Sequence, residues 1–483
     1  MSSHDSASPR EGHLASGAMS TADIVFFVLA GVAPMGAVVA LLSLAIALGN
    51  GPGVPGSYLI AGAALALFSA GYVRMSRRIT NVGGFYTFAC EGLGRRAGGA
   101  TAYIALVAYN VATIGVFGGL AYFGSQVLGQ FGIAAPWPAC GLVAFALVAV
   151  LAYFEVTMSA KVLGVALAAE VLVLLGFDVA TLVEHGFHGF SLRVFAPSVV
   201  LGGGFGVSLM FAFGSFVGFE ATALYGEEAR NPRRSVPRAT YVSLAIITVF
   251  YLCTTWAAIS AAGTDQAQRT AKADPSNFVF NAAASLLGKG YADLMGILVV
   301  TSLFAAFLAF HCNTARYHVA LARDGLLPHS LAKIHPRHGS PATASAWQLG
   351  LLAATTIGFT LAGQDPYLGM GVSLYGLGVL GIVLLQAVAA ASIVGFFLRR
   401  REQESIWGAV VAPALGCAGL VGGLVVMVVN YPTLTGSDLT WVNSLPWALP
   451  AAAVIGAVAA GRRTAVPASA ENREGTASGN GPR

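Results

Sequence analysis

Apolar runs long enough to cross a lipid bilayer recur along this chain, and they restrict its folding more than any other feature. A hydrocarbon core asks for about 20 consecutive apolar residues of a helix. With no water to bond backbone groups there, only helices and closed barrels can span it. Such runs read at roughly 22–48, 56–75, 97–128, 138–157, 160–183 and 201–225. A second set reads at roughly 236–262, 290–317, 341–362, 369–398, 408–430 and 440–461. The expectation is an all-α integral membrane protein of about twelve helices. Composition agrees: 56% of the residues are hydrophobic, only 10% are charged, and there are 60 glycines to let membrane helices pack closely.

Lysine and arginine set the expected orientation. One set of loops and helix ends holds Arg74, Arg77, Arg78, Arg95, Arg96, Lys161, Arg230, Arg233, Arg234 and Arg238. The same side holds Arg316, Arg323, Lys333, Arg337, Arg399, Arg400, Arg401, Arg462 and Arg463, whereas the other has Arg193, Arg269, Lys272 and Lys289. Both termini are therefore expected in the cytoplasm of a cell bounded by this membrane. Residues 1–21 and 465–483 read as disordered tails by composition, without a cleaved signal peptide at the start.

Two runs are interrupted. The first carries AGVAPMGAVVA, with Pro34 between Gly31 and Gly36. The sixth carries FAFGSFVGFEATALYGEEARNPRRSVPRATY, with Gly214, Gly218 and one carboxylate, Glu220. Backbone broken at membrane depth persists only where protein, water or a ligand satisfies it. An intramembrane carboxylate is costly and points to function. A second one, Glu170, lies between Lys161 and Asp178 with uncharged residues on either side. It reads either as a hydrogen-bonded carboxyl or as a proton carrier. Helix three offers the polar pair Tyr109 and Asn110, and helix ten offers Ser373, Tyr375 and Gln386.

The run GFE, then EEARNPRR and VPRA, resembles the sixth membrane helix of the amino acid–polyamine–organocation superfamily. ARDGLLP, LAKIH and SPATA, near 322–344, resemble that superfamily's loop between helices eight and nine. SRRITNVGGFYTFACEG is similar to its glycine-rich segment after helix two. The resemblance covers most of residues 20–400 and places the chain in the amino acid permease branch. It implies a LeuT-like core of 5+5 inverted repeats with helices one and six broken. The transport core is then 22–398, with repeats at about 22–183 and 201–398, and helices eleven and twelve at 408–461 lie outside it. In several branches a lysine stands about where this chain has Glu170.

Broken helix ends present N–H groups that can hold a carboxylate and C=O groups that can hold an ammonium. Candidate substrate contacts are therefore Val32, Ala33, Pro34, Met35, Gly36, Ser215, Phe216, Val217, Gly218, Phe219, Tyr109 and Tyr375. Phe216 or Phe219 is expected to gate the site, and Glu220, Glu170 and Asn110 to serve coupling. Glu220 can instead cap a broken helix. The expected function is uptake of a neutral amino acid coupled to protons; the alternative is a cationic amino acid or polyamine. A membrane-embedded enzyme is the remote reading, because HExxH, GxSxG and P-loop patterns are all missing. The histidines His311, His318, His329, His335 and His338 read as solvated loop residues. The HxxH spacing of His335 and His338 lacks further ligands, and Pro336 spoils its helical face. Cys90, Cys140, Cys253, Cys312 and Cys417 are scattered. No metal, cofactor or nucleic acid is called for. The partners are a small-molecule substrate, protons and the lipid bilayer, with oligomeric state open.

Overall fold

A computed structural model describes residues 19–79, 84–154, 160–220, 222, 229–400 and 405–462. Every regular element among them is a helix, apart from one isolated bridge between Met19 and Ala229. In chain order those of seven residues or more are α1 (Thr21–Val32), α2 (34–48), α3 (Val54–Ser76), α4 (Gly84–Leu93), α5 (Arg95–Gln130), α6 (Trp137–Tyr153) and α7 (Ala160–Gly189). There follow α8 (Phe205–Phe216), α9 (Pro232–Ala262), α10 (Ala267–Ala273), α11 (Phe278–Leu287) and α12 (Lys289–Arg323). The last four are α13 (Ala342–Leu361), α14 (Pro366–Arg400), α15 (Trp407–Val429) and α16 (Leu445–Gly461). Among the described residues, nine helices are long and apolar enough to cross a membrane, α1 and α2 counting as one. The runs expected at 138–157, 201–225 and 440–461 form shorter helices: α6, α8 and α16. Between the runs expected at 236–262 and 290–317 lie α10 and α11, where Phe278, Val279, Phe280 and Ala283 bury one apolar face. Residues 1–18 and the C-terminal tail 465–483, with Glu227 and Glu228, lie outside the described residues. Met19 to Thr21, expected in the disordered N-terminal tail, are instead ordered by the bridge to Ala229 and the cap of α1.

The chain enters α1 through a reciprocal cap: Asp23 N–H donates to Ser20 Oγ, and Ser20 N–H to Asp23 Oδ2. α5 lies centrally, packed against α12, α14 and α16. Its contact with α16 is close enough that a side chain on Gly99 or Gly456 would strike the facing backbone. Large apolar side chains face outward on α6, α7 and α13, among them Leu142, Val165, Val183 and Leu361. In water such a surface would aggregate; in lipid it is the expected exterior. The protein is a multi-pass membrane protein.

Candidate functional site

Proline at position 34 cannot donate to the preceding turn, so the helix must restart there. The restart is sharp. Ala33 sits at φ 51°, ψ 71°, and is the one non-glycine residue with positive φ among the described residues. The first N–H groups of α2 then need acceptors from elsewhere. Met35 N–H donates to Glu170 Oε2 of α7 at 3.0 Å, and Gly36 N–H to Ser302 Oγ of α12 at 3.2 Å. Ser302 in turn donates to the same Glu170 oxygen at 2.8 Å. The N–H groups that sequence reasoning offered to a substrate carboxylate are thus engaged by a carboxylate and a hydroxyl of the protein.

The second break follows the same plan. α8 ends at Phe216, Val217 turns to an extended conformation, and Gly218 adopts φ +110°, a region that favours glycine. Gly218 N–H donates to Glu220 Oε2 at 3.0 Å, and Tyr109 OH to Glu220 Oε1 at 3.3 Å. Glu220 therefore caps its own broken helix, one of the two roles the sequence leaves open. The two breaks meet: a Cβ on Gly218 would lie 3.8 Å from the Gly31 carbonyl. Tyrosines brace the surrounding backbone. Tyr72 donates to Glu220 O at 2.7 Å, Tyr375 to Gly214 O at 2.8 Å and Tyr367 to Ala40 O at 2.7 Å. Tyr58 OH lies 2.9 Å from Ser215 Oγ.

Beside the breaks is a cavity of about 60 Å³. Gly31, Val32, Ala33, Gly36, Ala37, Ala40, Leu41 and Leu44 form one wall, and Gly115, Val116 and Gly119 of α5 another. Phe211 and Val217, then Leu303, Ala306 and Phe310 of α12, then Tyr367, Gly371, Val372 and Tyr375 of α14 close it. Two stretches of wall, Ala37–Leu42 and Pro366–Gly371, are wound as π-helix, a widened turn frequent at functional sites. No charged side chain lines the cavity among the described residues.

Of the candidate contacts, Val32, Ala33, Gly36, Val217 and Tyr375 line this cavity. Pro34, Met35, Ser215 and Gly218 belong to the breaks but not to its wall, and Tyr109 bonds Glu220 without lining it. Phe216 and Phe219 lie elsewhere: Phe216 packs on Tyr58 and Phe219 edge-on against Phe68, both on α3. Five residues along a helix turn a side chain about 140°, so Phe216 points away from the direction of Phe211. The phenylalanines on the cavity wall are Phe211 and Phe310, beside Tyr367 and Tyr375. Sequence reasoning missed the small residues of α5 and the start of α14, where Asp365-Pro366 looks like a plain turn. In fact Asp365 Oδ1 accepts from Tyr367 and Leu368 N–H and starts the helix.

Asn110 is buried and bonds His318 rather than either glutamate: its Nδ2 lies 3.1 Å from His318 Nε2. This corrects the reading of the histidines. His311 and His318 are not solvated loop residues, because α12 continues to Arg323 and buries both. His335 and His338 do stack on each other at the chain surface beside Tyr153, and no metal-binding cluster occurs among the described residues. Buried Gln386 and Ser373 line no part of the cavity.

The amino acid permease family model matches residues 23–398. The chain is 26% identical to the branched-chain amino acid permease BcaP of Bacillus subtilis (strain 168), over 83% of this chain and 84% of that one. It is 24% identical to the BcaP permease of Lactococcus lactis subsp. cremoris (strain MG1363), over 78% and 82% of the two chains. It is also 24% identical to the methylthioribose transporter of Bacillus subtilis, over 74% and 76%. With a match across most of its length and a cavity set between two broken membrane helices, this chain belongs to the amino acid permease family of the amino acid–polyamine–organocation superfamily and is an amino acid transporter.

Proposed function

We propose that the protein takes up a neutral, apolar amino acid together with protons, and that Glu170 and Glu220 couple the two. The observation that carries this is the pairing of each helix break with one buried glutamate beside a cavity whose lining is almost wholly apolar. A substrate carboxylate and a protein carboxylate cannot both be ionised on one set of N–H groups. Protonation of Glu170 or Glu220 makes it a weaker acceptor and frees Met35 or Gly218 N–H for the substrate. Release of the proton restores the cap and expels the substrate. Proton and substrate then move in one direction because each needs the other at the break.

The apolar wall favours an uncharged side chain, and two of the relatives named above are branched-chain permeases. A cavity of about 60 Å³ is under half the ~150 Å³ that admits benzene, so a branched side chain must widen it. The π-helical turns at Ala37–Leu42 and Pro366–Gly371 are the places to yield. A cationic amino acid or polyamine fits less well, since the carboxylates stand behind the wall rather than in it.

In the same reading the chain spans the cell membrane twelve times with both termini in the cytoplasm. Residues 22–398 form two inverted five-helix repeats, α15 and α16 stand outside the core, and transport proceeds by alternating access. Contacts among the arginine-bearing helix ends support one cytoplasmic face: Arg400 pairs with Glu91, and Tyr103 donates to Leu326 O.

The test is purified protein in liposomes, with uptake of labelled isoleucine, lysine, spermidine and methylthioribose driven by an inward proton gradient. Gradient-driven isoleucine uptake is the expected result. Uptake of lysine or spermidine alone would overturn the substrate assignment. Isoleucine uptake indifferent to the gradient would overturn the coupling.

A further inference from the structure

We propose that a buried polar cluster between α5, α12 and α13 is a hydrated proton-holding site, with His318 and His311 as its acceptors. It rests on the proton-coupling reading above and adds a station that neither glutamate supplies. The cluster stands out because the surrounding core is apolar. α5 contributes Asn110 and Thr113, α12 contributes His311, Thr314 and His318, and α13 contributes Ser345 and Gln348; all are buried. The spacing 311, 314, 318 puts the α12 members on one helix face.

The bonds within it are incomplete. His311 Nε2 lies 2.7 Å from Ser345 Oγ, Gln348 Nε2 donates to Thr113 Oγ1 at 3.3 Å, and Thr113 Oγ1 lies 3.4 Å from Thr314 Oγ1. Four polar atoms in the same small region have no protein partner: Asn110 Oδ1, Gln348 Oε1, His311 Nδ1 and His318 Nδ1. Leaving such a group bare in an apolar core is unfavourable. Four together, two amide oxygens and two imidazole nitrogens, are the groups that internal water would satisfy in this proposal.

The Asn110–His318 contact sets how a proton can arrive. Asn110 Nδ2 donates to Leu106 O at 2.7 Å and faces His318 Nε2, so Nε2 is the acceptor and Nδ1 carries the proton. The Asn110 side chain must first swing off Nε2, since turning its amide over in place would set Oδ1 against Leu106 O. A proton arriving from water on the freed Nε2 lone pair then gives an imidazolium. Loss of the Nδ1 proton to water returns a neutral ring in the other tautomer, and one proton has crossed the ring.

The place suits a path. His311 directly follows Phe310 of the cavity wall, and Asn110 precedes Gly115 by little more than a turn. From there α5 runs back to Arg95 and α12 runs on to Arg323, the arginine-rich end. Titratable groups on the elements packed around are as follows. α5 carries Tyr109, bonded to Glu220, with Arg95, Arg96, Tyr103 and Tyr122 farther along it, and α12 carries Cys312, Arg316, Tyr317 and Arg323, with Lys289, Tyr291 and Asp293 at its start and Asp324 just past its end. α14 carries Tyr367, Tyr375, Arg399 and Arg400. α7 carries Glu170 and Asp178, α6 ends in Tyr153 beside His335 and His338, α1 carries Asp23, and the turn after α12 carries His329. Neither α13 nor α11 carries any.

The test uses full-length protein in liposomes loaded with a pH-sensitive dye. Isoleucine-driven proton entry and isoleucine–isoleucine exchange are measured for wild type, His318→Gln, His311→Gln and the double variant. The expected result is that exchange survives in the double variant while proton entry falls about tenfold or more. Wild-type exchange without any proton entry would overturn the coupling reading itself. Wild-type proton entry that persists undiminished in the double variant would overturn only the histidine site. Should the double variant fail to fold, nitrogen-15 NMR of histidine-labelled wild type and the single variants decides. Imidazolium signals assigned to positions 311 and 318 between pH 5 and 8 support the site, and rings neutral throughout refute it.

Discussion

Replacing Glu170 with alanine should damage the protein before it damages coupling. Glu170 Oε2 accepts Met35 N–H and the Ser302 hydroxyl in a buried setting. Alanine leaves Met35 N–H without an acceptor, and water is not at hand to replace it. An orphaned buried donor costs about 1–3 kcal/mol, which at 1.4 kcal/mol per tenfold lowers the population of the intact break by roughly 5- to 150-fold. Ser302 still receives Gly36 N–H, so the loss is confined to one of the two caps. Glutamine differs in kind: its carbonyl keeps the Met35 bond while the group can no longer titrate. Glu170→Ala is therefore expected to lower thermal stability and isoleucine exchange together. Glu170→Gln is expected to keep stability and exchange but lose the response of uptake to pH. Thermal denaturation in detergent and exchange in liposomes measure both. An alanine variant as stable and as active as wild type would refute the capping role on which the coupling scheme stands.

Gly218→Ala has room for its Cβ, with neighbours at 3.8 Å, so its cost of about 1–3 kcal/mol comes from the positive φ alone. Gly218→Leu also reaches the Gly31 backbone and the Val32 side chain and should abolish transport with membrane insertion intact, read by uptake and by the yield of folded protein. Ala33→Gly relieves a strained left-handed alanine and should raise thermal stability by about 1 kcal/mol at most, whereas Ala33→Val should lower it. Ala306→Leu intrudes on the cavity wall and should weaken isoleucine binding about tenfold, seen as a lost thermal shift with that ligand.

Much of the site is written in local chemistry. Pro34 between glycines and Gly218 before a lone glutamate mark the breaks, because proline and glycine change what the backbone can do wherever they occur. Glu170 is visible as an isolated charge in an apolar run. Its partner is not: Ser302 lies 132 residues away, and nothing in a serine on an apolar helix says what it meets. Gly115 and Gly119 form a wall by lacking side chains, which leaves no chemical signature. His311 and His318 misled because apolar character fades near Asn313 and Arg316, while the helix itself continues another two turns with these histidines on its buried face. Phe216 and Phe219 misled by their type; only the rotation of the broken helix decides which aromatic meets the cavity.

The most direct measurement is an experimental map of the protein saturated with isoleucine at acidic pH. Ligand density is expected between 32–36 and 217–218, its carboxylate on Met35 or Gly218 N–H and the corresponding glutamate moved off. Density elsewhere, or a bound ligand with Glu170 and Glu220 both still on their N–H groups, would contradict the proposed competition.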